Sequence, residues 1–138
     1  MKKYIDEMDR MSDEMTALNA RLNRLRDKLQ VFYEMNEFIG TIEKIKDYIE
    51  AYGARTFRYK LDSEYNLHIT PKLSKLFYFD LELVETGEIY KHFDVILTEE
   101  ELLHTFTHKN GGFSLIVGLM EEIKCDFDNY IFERMEIY

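Results

Sequence analysis

Two histidines, His104 and His108, stand four residues apart in a stretch with helical spacing, and Glu100 stands four before His104. On a helix the three share one face, and His at i and i+4 can ligate zinc; Glu101-Leu102-Leu103-His104 also has the Glu-x-x-His spacing of di-iron helices. Zinc catalysis needs a third ligand and an activating group. The di-iron site needs a second copy of the motif and carboxylates from other helices, and the sequence offers neither. A metal-dependent enzyme at Glu100, His104 and His108 is therefore the weakest of three readings, and no metal or other cofactor is expected.

The remaining chemistry is thin. Cys125, the single cysteine, is flanked by Glu121, Glu122, Asp126 and Asp128, whereas a nucleophilic thiolate wants a cation or a helix N-terminus beside it. The same acidic stretch lacks the glycine and closing glutamate of a calcium loop. Glu122-Ile123-Lys124 matches a nuclease fragment of three residues, but in helical context and without a partnering Asp. There is no G-x-x-x-x-G-K-[ST], G-x-G-x-x-G or G-x-S-x-G. These absences point away from an enzyme.

The elements that would carry these groups fall into two segments, 1–52 and 54–138. The first contains one glycine, Gly40, and no proline. Met8, Met11, Met15, Leu18, Leu22, Leu25, Leu29 and Phe32 alternate in steps of three and four, the seam of a coiled coil. The repeat then slips and resumes with Met35, Ile39, Ile42, Ile49 and Tyr52, Ile45 lying beside it. No Gly/Pro/Asp cluster supplies a turn, so a long helix is expected in preference to a hairpin.

With Met8 at position a, the g positions are Glu7, Glu14, Arg21 and Lys28, and the e positions are Ser12, Asn19, Arg26 and Tyr33. A parallel in-register pair would set Arg21 against a second Arg26. An antiparallel pair sets Glu7 by Lys28 and Glu14 by Arg21, so an antiparallel homodimer is expected. The alternative is that the seam packs on its own chain.

From Ala54 the period becomes two. Phe57/Tyr59/Leu61 and Tyr65/Leu67/Ile69 flank the turn Asp62-Ser63-Glu64, and Pro71 ends the second strand. A third strand follows over 77–83 and a fourth over 89–97, with Phe93 and Val95 facing the core and His92 and Asp94 outward. Thr98-Glu99-Glu100-Glu101 is a capping box opening a helix that stops near Asn110-Gly111-Gly112. Helix formers at Glu121–Lys124 assign 113–124 to a second helix, and 129–138 alternates as a final strand. The expected fold is α+β: a long coiled-coil-like N-terminal helix, a four-stranded antiparallel meander, one or two helices and a C-terminal strand.

The 138 residues allow one modest core, and the net charge of -9 is unevenly divided. Residues 1–77 carry 14 Lys+Arg against 13 Asp+Glu, while 78–138 carry 4 against 14. Such a field repels nucleic acid and anionic lipid and draws basic surfaces. The basic cluster Arg21, Arg24, Arg26 and Lys28 is too small to make direct nucleic-acid binding an expectation. No run reaches membrane-spanning length, no apolar signal follows Met1, and one cysteine suits a reducing cytoplasm.

Tyrosines on polar strand faces supply the other clue, since tyrosine is enriched at interfaces. Tyr78, Asp80, Glu82, Tyr90 and Asp94, with Glu121, Glu122, Asp126 and Asp128, form the expected partner surface. The leading reading is a small cytoplasmic, non-enzymatic homodimer that binds a protein with a basic surface. It would block a nucleic-acid-handling site, by analogy with the small inhibitors of phages and mobile elements, anti-CRISPR proteins among them. The second reading is a structural or assembly subunit acting through its coiled coil.

Overall fold

A computed structural model describes residues 2–108 and 111–138, with side chains described for 9–108 and 112–138. Glu7 and Met8 of the expected seam, and Asn110 of the expected helix stop, lie outside the described side chains. The chain forms two compact units, 1–34 and 35–138. The boundary between them falls within the first helix.

Helix α1 spans Lys2–Ala51 without a break. Over 9–30 every residue is exposed, including Met11, Met15, Leu18, Leu22, Leu25 and Leu29 at 50–65%. Within the second unit, Met35, Phe38, Ile42, Ile45 and Ile49 are 0–3% exposed. Spacing of three, four, three and four places them on one stripe. Phe38 and Ile45 therefore occupy places the sequence reading gave to Ile39 and to the seam's margin, and Tyr52 is 66% exposed rather than buried. Tyr52 lies past the last turn of α1. Gly53, at φ +63°, adopts the left-handed conformation in which Ala54 N–H reaches the Ile49 carbonyl at 3.0 Å, closing the helix.

The sheet has strands β1 (Phe57–Lys60), β2 (Tyr65–Pro71), β3 (Leu76–Leu83), β4 (Ile89–Ile96) and β5 (Met135–Ile137). All neighbours are antiparallel, in the order β4-β3-β2-β1-β5. The meander of four is as expected. The fifth strand makes the count five, because the C-terminal segment pairs with β1 along its free edge. That strand is shorter than expected: of 129–138, Phe132–Arg134 form a 3-10 turn and only Met135–Ile137 are extended into the sheet.

Alternation gives the sheet two unlike faces. Phe57, Tyr59, Leu67, Ile69, Phe77, Phe79, Leu81, Val95 and Met135 form the buried face. Residues 35–51 of α1, α2 (Glu99–Thr107) and α3 (Gly111–Asp128) cover it. Tyr48 packs against Phe57 and Phe127, while Phe38 meets Phe106 and Phe113. Thr98 caps α2 by accepting from Glu101 N–H at 3.4 Å, as its sequence requires. At the start of α3 a Cβ on Gly112 would sit 2.7 Å from the Phe93 ring, so a larger residue there would force that ring to shift.

Candidate functional site

The open face of the sheet carries a row of charged side chains in direct register. Glu136 on β5 lies opposite Arg58 on β1, Arg58 opposite His68 on β2, His68 opposite Asp80 on β3, and Asp80 opposite His92 on β4. Cross-strand neighbours on one face sit about 4.5–5.5 Å apart at Cβ, close enough for each to touch the next. Arg58 and Lys60 both bind the Glu136 carboxylate. Their hydrogen bonds, with that of Tyr138 at 2.6 Å, hold Glu136 well below the usual range, at about 2. The Arg58 guanidinium also lies 4.6 Å over the Tyr138 ring.

At the other end, His92 is clamped between two carboxylates. Nδ1 meets Asp80 and Nε2 lies 2.6 Å from Asp94 Oδ1. Hydrogen bonding to Asp80, then to Asp94, raises its pKa. Tyr78 stands edge-on to the same imidazole at 4.9 Å, with the Lys72 ammonium 5.0 Å over its ring. His68 Nε2 lies 2.8 Å from Glu82 Oε2.

The open face therefore brings together four expected partner residues: Tyr78, Asp80, Glu82 and Asp94. It also adds Arg58, Lys60, His68, His92, Glu136 and Tyr138, so its carboxylates are matched by cations and histidines across the strands. Those additions were only partly visible in sequence. The alternation of Arg58 and Lys60 with Phe57 and Tyr59 marks them as outward, but nothing local to 129–138 says which strand it will join.

Tyr90 is a correction. A bulge opposite Leu81/Glu82 inserts one extra residue in β4, leaving Lys91 opposite Leu81 and Ile89 opposite Glu82. The Tyr90 ring lies 5.7 Å from that of Tyr65, away from Tyr78 and Asp80. The four acidic residues of α3 are also apart from this face, because α3 covers the opposite side of the sheet. Asp126 is a second correction: at 7% exposure it is internal, bound to the Tyr59 hydroxyl and 3.4 Å from Arg134. Glu122 pairs with Arg134 at 2.8 Å and Asp128 with Lys44 at 3.4 Å, while Glu121 is exposed.

No family model, curated protein or solved structure matches this chain. Function must be argued from its own groups. The rings of His104 and His108 lie 4.4 Å apart, tilted, on the exposed side of α2, and His108 Nδ1 is taken up by the His104 carbonyl at 3.0 Å. Among the described residues no group of three or more His, Cys, Asp or Glu could hold a metal ion. Nor, among them, is any helix long and apolar enough to cross a membrane. Cys125 is exposed on α3.

The seam of α1 is the other candidate. Met11, Met15, Leu18, Leu22, Leu25, Leu29 and Phe32 are 42–65% exposed, a continuous apolar stripe across six helical turns. Isolated exposed leucines are ordinary, whereas contiguous apolar patches mark interaction surfaces.

Proposed function

We propose that this chain is a non-enzymatic protein-binding module that pairs through its α1 seam. The observation that carries the reading is the exposure of Met11, Met15, Leu18, Leu22, Leu25 and Leu29 at heptad spacing. Full burial of each such side chain is worth ~1.5–3 kcal/mol, so a helix that leaves six of them wet has a strong reason to find another helix. No comparable argument supports catalysis, since the titratable groups of the open sheet face are engaged with one another.

The partner-facing role falls to the acidic second half. Its exposed carboxylates are spread over the β3–β4 turn and the start of α2 (Glu85, Glu88, Glu99, Glu100, Glu101) and over β4, α3 and the C-terminal turn (Asp94, Glu121, Glu122, Asp128, Glu133). A basic protein surface is the complementary partner, and blockade of a nucleic-acid-handling site is the mechanism such a surface would serve. Light scattering on the eluting full-length protein tests the pairing. The mass should be twice 16.7 kDa, and Leu18→Asp with Leu25→Asp should return it to one chain. A monomer at tens of micromolar would end the reading.

A further inference from the structure

We infer that the occupant of the seam is a second copy of this chain, running antiparallel, with the two-fold axis crossing between Thr16 and Ala17. The inference rests on the pairing proposed above and fixes its partner, direction and register. In an antiparallel coiled coil each a residue shares a layer with a d residue of the other helix, and g residues face g residues. Heptad geometry then permits few central registers. In one, Met15 shares a layer with the partner's Leu18 and Met11 with the partner's Leu22. This places Glu14 beside the partner's Arg21, twice by symmetry.

The neighbouring register slides one helix by a heptad. Met15 then meets the partner's Leu25, and Arg21 falls against the partner's Arg21, a like-charge contact on the two-fold axis. A parallel in-register pair puts Arg21 against the partner's Arg26, again like against like. The shifted register still sets Glu14 beside the partner's Lys28, but only the first arrangement pairs opposite charges at these g positions with no like-charge contact. Glu14, Arg21 and the four apolar residues of these layers are all exposed. Each exposed charge pair is individually weak, and repeated pairs choose direction while the Met/Leu layers supply affinity.

Disulfide trapping tests this in the full-length chain carrying Cys125→Ser. Met15→Cys and Leu18→Cys chains, co-expressed and oxidised, should yield a mixed disulfide dimer identified by intact mass. Neither chain alone should crosslink above a tenth of that yield. Self-crosslinking of Met15→Cys would overturn the proposal in favour of a parallel pair. A mixed dimer of Met15→Cys with Leu25→Cys, at higher yield, would overturn it in favour of the shifted register. Both results leave pairing itself intact, whereas a monomeric mass for the uncrosslinked protein removes it. As a charge test, Glu14→Arg should weaken the dimer at least fivefold, and adding Arg21→Glu should restore it.

Discussion

Tyr59 on β1 donates its hydroxyl to Asp126 on α3, beneath the Arg134 guanidinium, which lies 4.8 Å from the tyrosine ring. Arg134 also donates to the Lys60 and Leu61 carbonyls at 3.1 and 3.0 Å. One internal knot thus joins the first strand, the last helix and the C-terminal turn. Burial, with the bond to Asp126, pushes the Tyr59 hydroxyl far above its ordinary pKa, so it stays a donor throughout the working range.

Removing that donor should be costly. Tyr59→Phe keeps the ring's packing but leaves Asp126 short of a hydrogen bond inside the core, a loss of about 1–3 kcal/mol. Urea unfolding should show the midpoint fall with little change in slope. A midpoint equal to that of the parent would mean that Asp126 is satisfied by other groups.

The turn between β2 and β3 is strained in a way that can be relieved. Ser74 and Lys75 hold φ of 59° and 63°, the left-handed pair of a tight hairpin turn in which Asn-Gly is favoured. Both are exposed. Ser74→Asn with Lys75→Gly should raise stability by about 1 kcal/mol, read as a rise in Tm of several degrees. An unchanged or lower Tm would show that the turn is not held in this conformation in solution.

These features explain which parts of the molecule the chain's residue pattern reveals. Period-two alternation assigns β1 to β4 and their turns, and Thr98 with Glu101 marks the start of α2, because each signal lies within a few neighbouring residues. The seam of α1 is equally local. What escapes is set by long-range pairing. Asp126 reads as one more surface carboxylate until β1 brings Tyr59 beneath it. Tyr90 reads as a neighbour of Tyr78 and Asp80 until a bulge sets it beside Tyr65. Likewise Glu136 and Arg58, 78 residues apart, meet only because β5 closes the edge of β1.

The clamp on His92 predicts a titration. Its folded pKa lies above the ordinary value of 6.5, so the stabilisation it brings is fully present below that value and is lost as pH rises through the folded pKa. The histidine is 44% exposed, which keeps the effect on stability small. Proton NMR should place the His92 midpoint above 6.5, and Asp80→Asn should move it down more than Asp94→Asn. A His92 midpoint at or below 6.5 would contradict the clamp.

Acid should act at the opposite edge of the same face. Glu136 is held to about 2 by Lys60, Tyr138 and Arg58. Because its folded value is depressed below the ordinary 4.5, its contribution is present above that value and is lost as pH falls toward 2. Glu136→Gln removes the charge at every pH while keeping the side chain's shape. The variant should therefore be less stable than the parent at pH 6, and the gap should shrink between pH 4.5 and 2. β5 offers only three residues to the sheet, so the bonds of Arg58 and Lys60 to this carboxylate supplement a short ladder. Amide exchange should accordingly quicken first at Met135–Ile137 and along β1 in the variant. If exchange there is unaltered at pH 6, the aromatic contact of Tyr138 with Arg58 and the backbone bonds from Tyr138 to Thr56 anchor the edge instead.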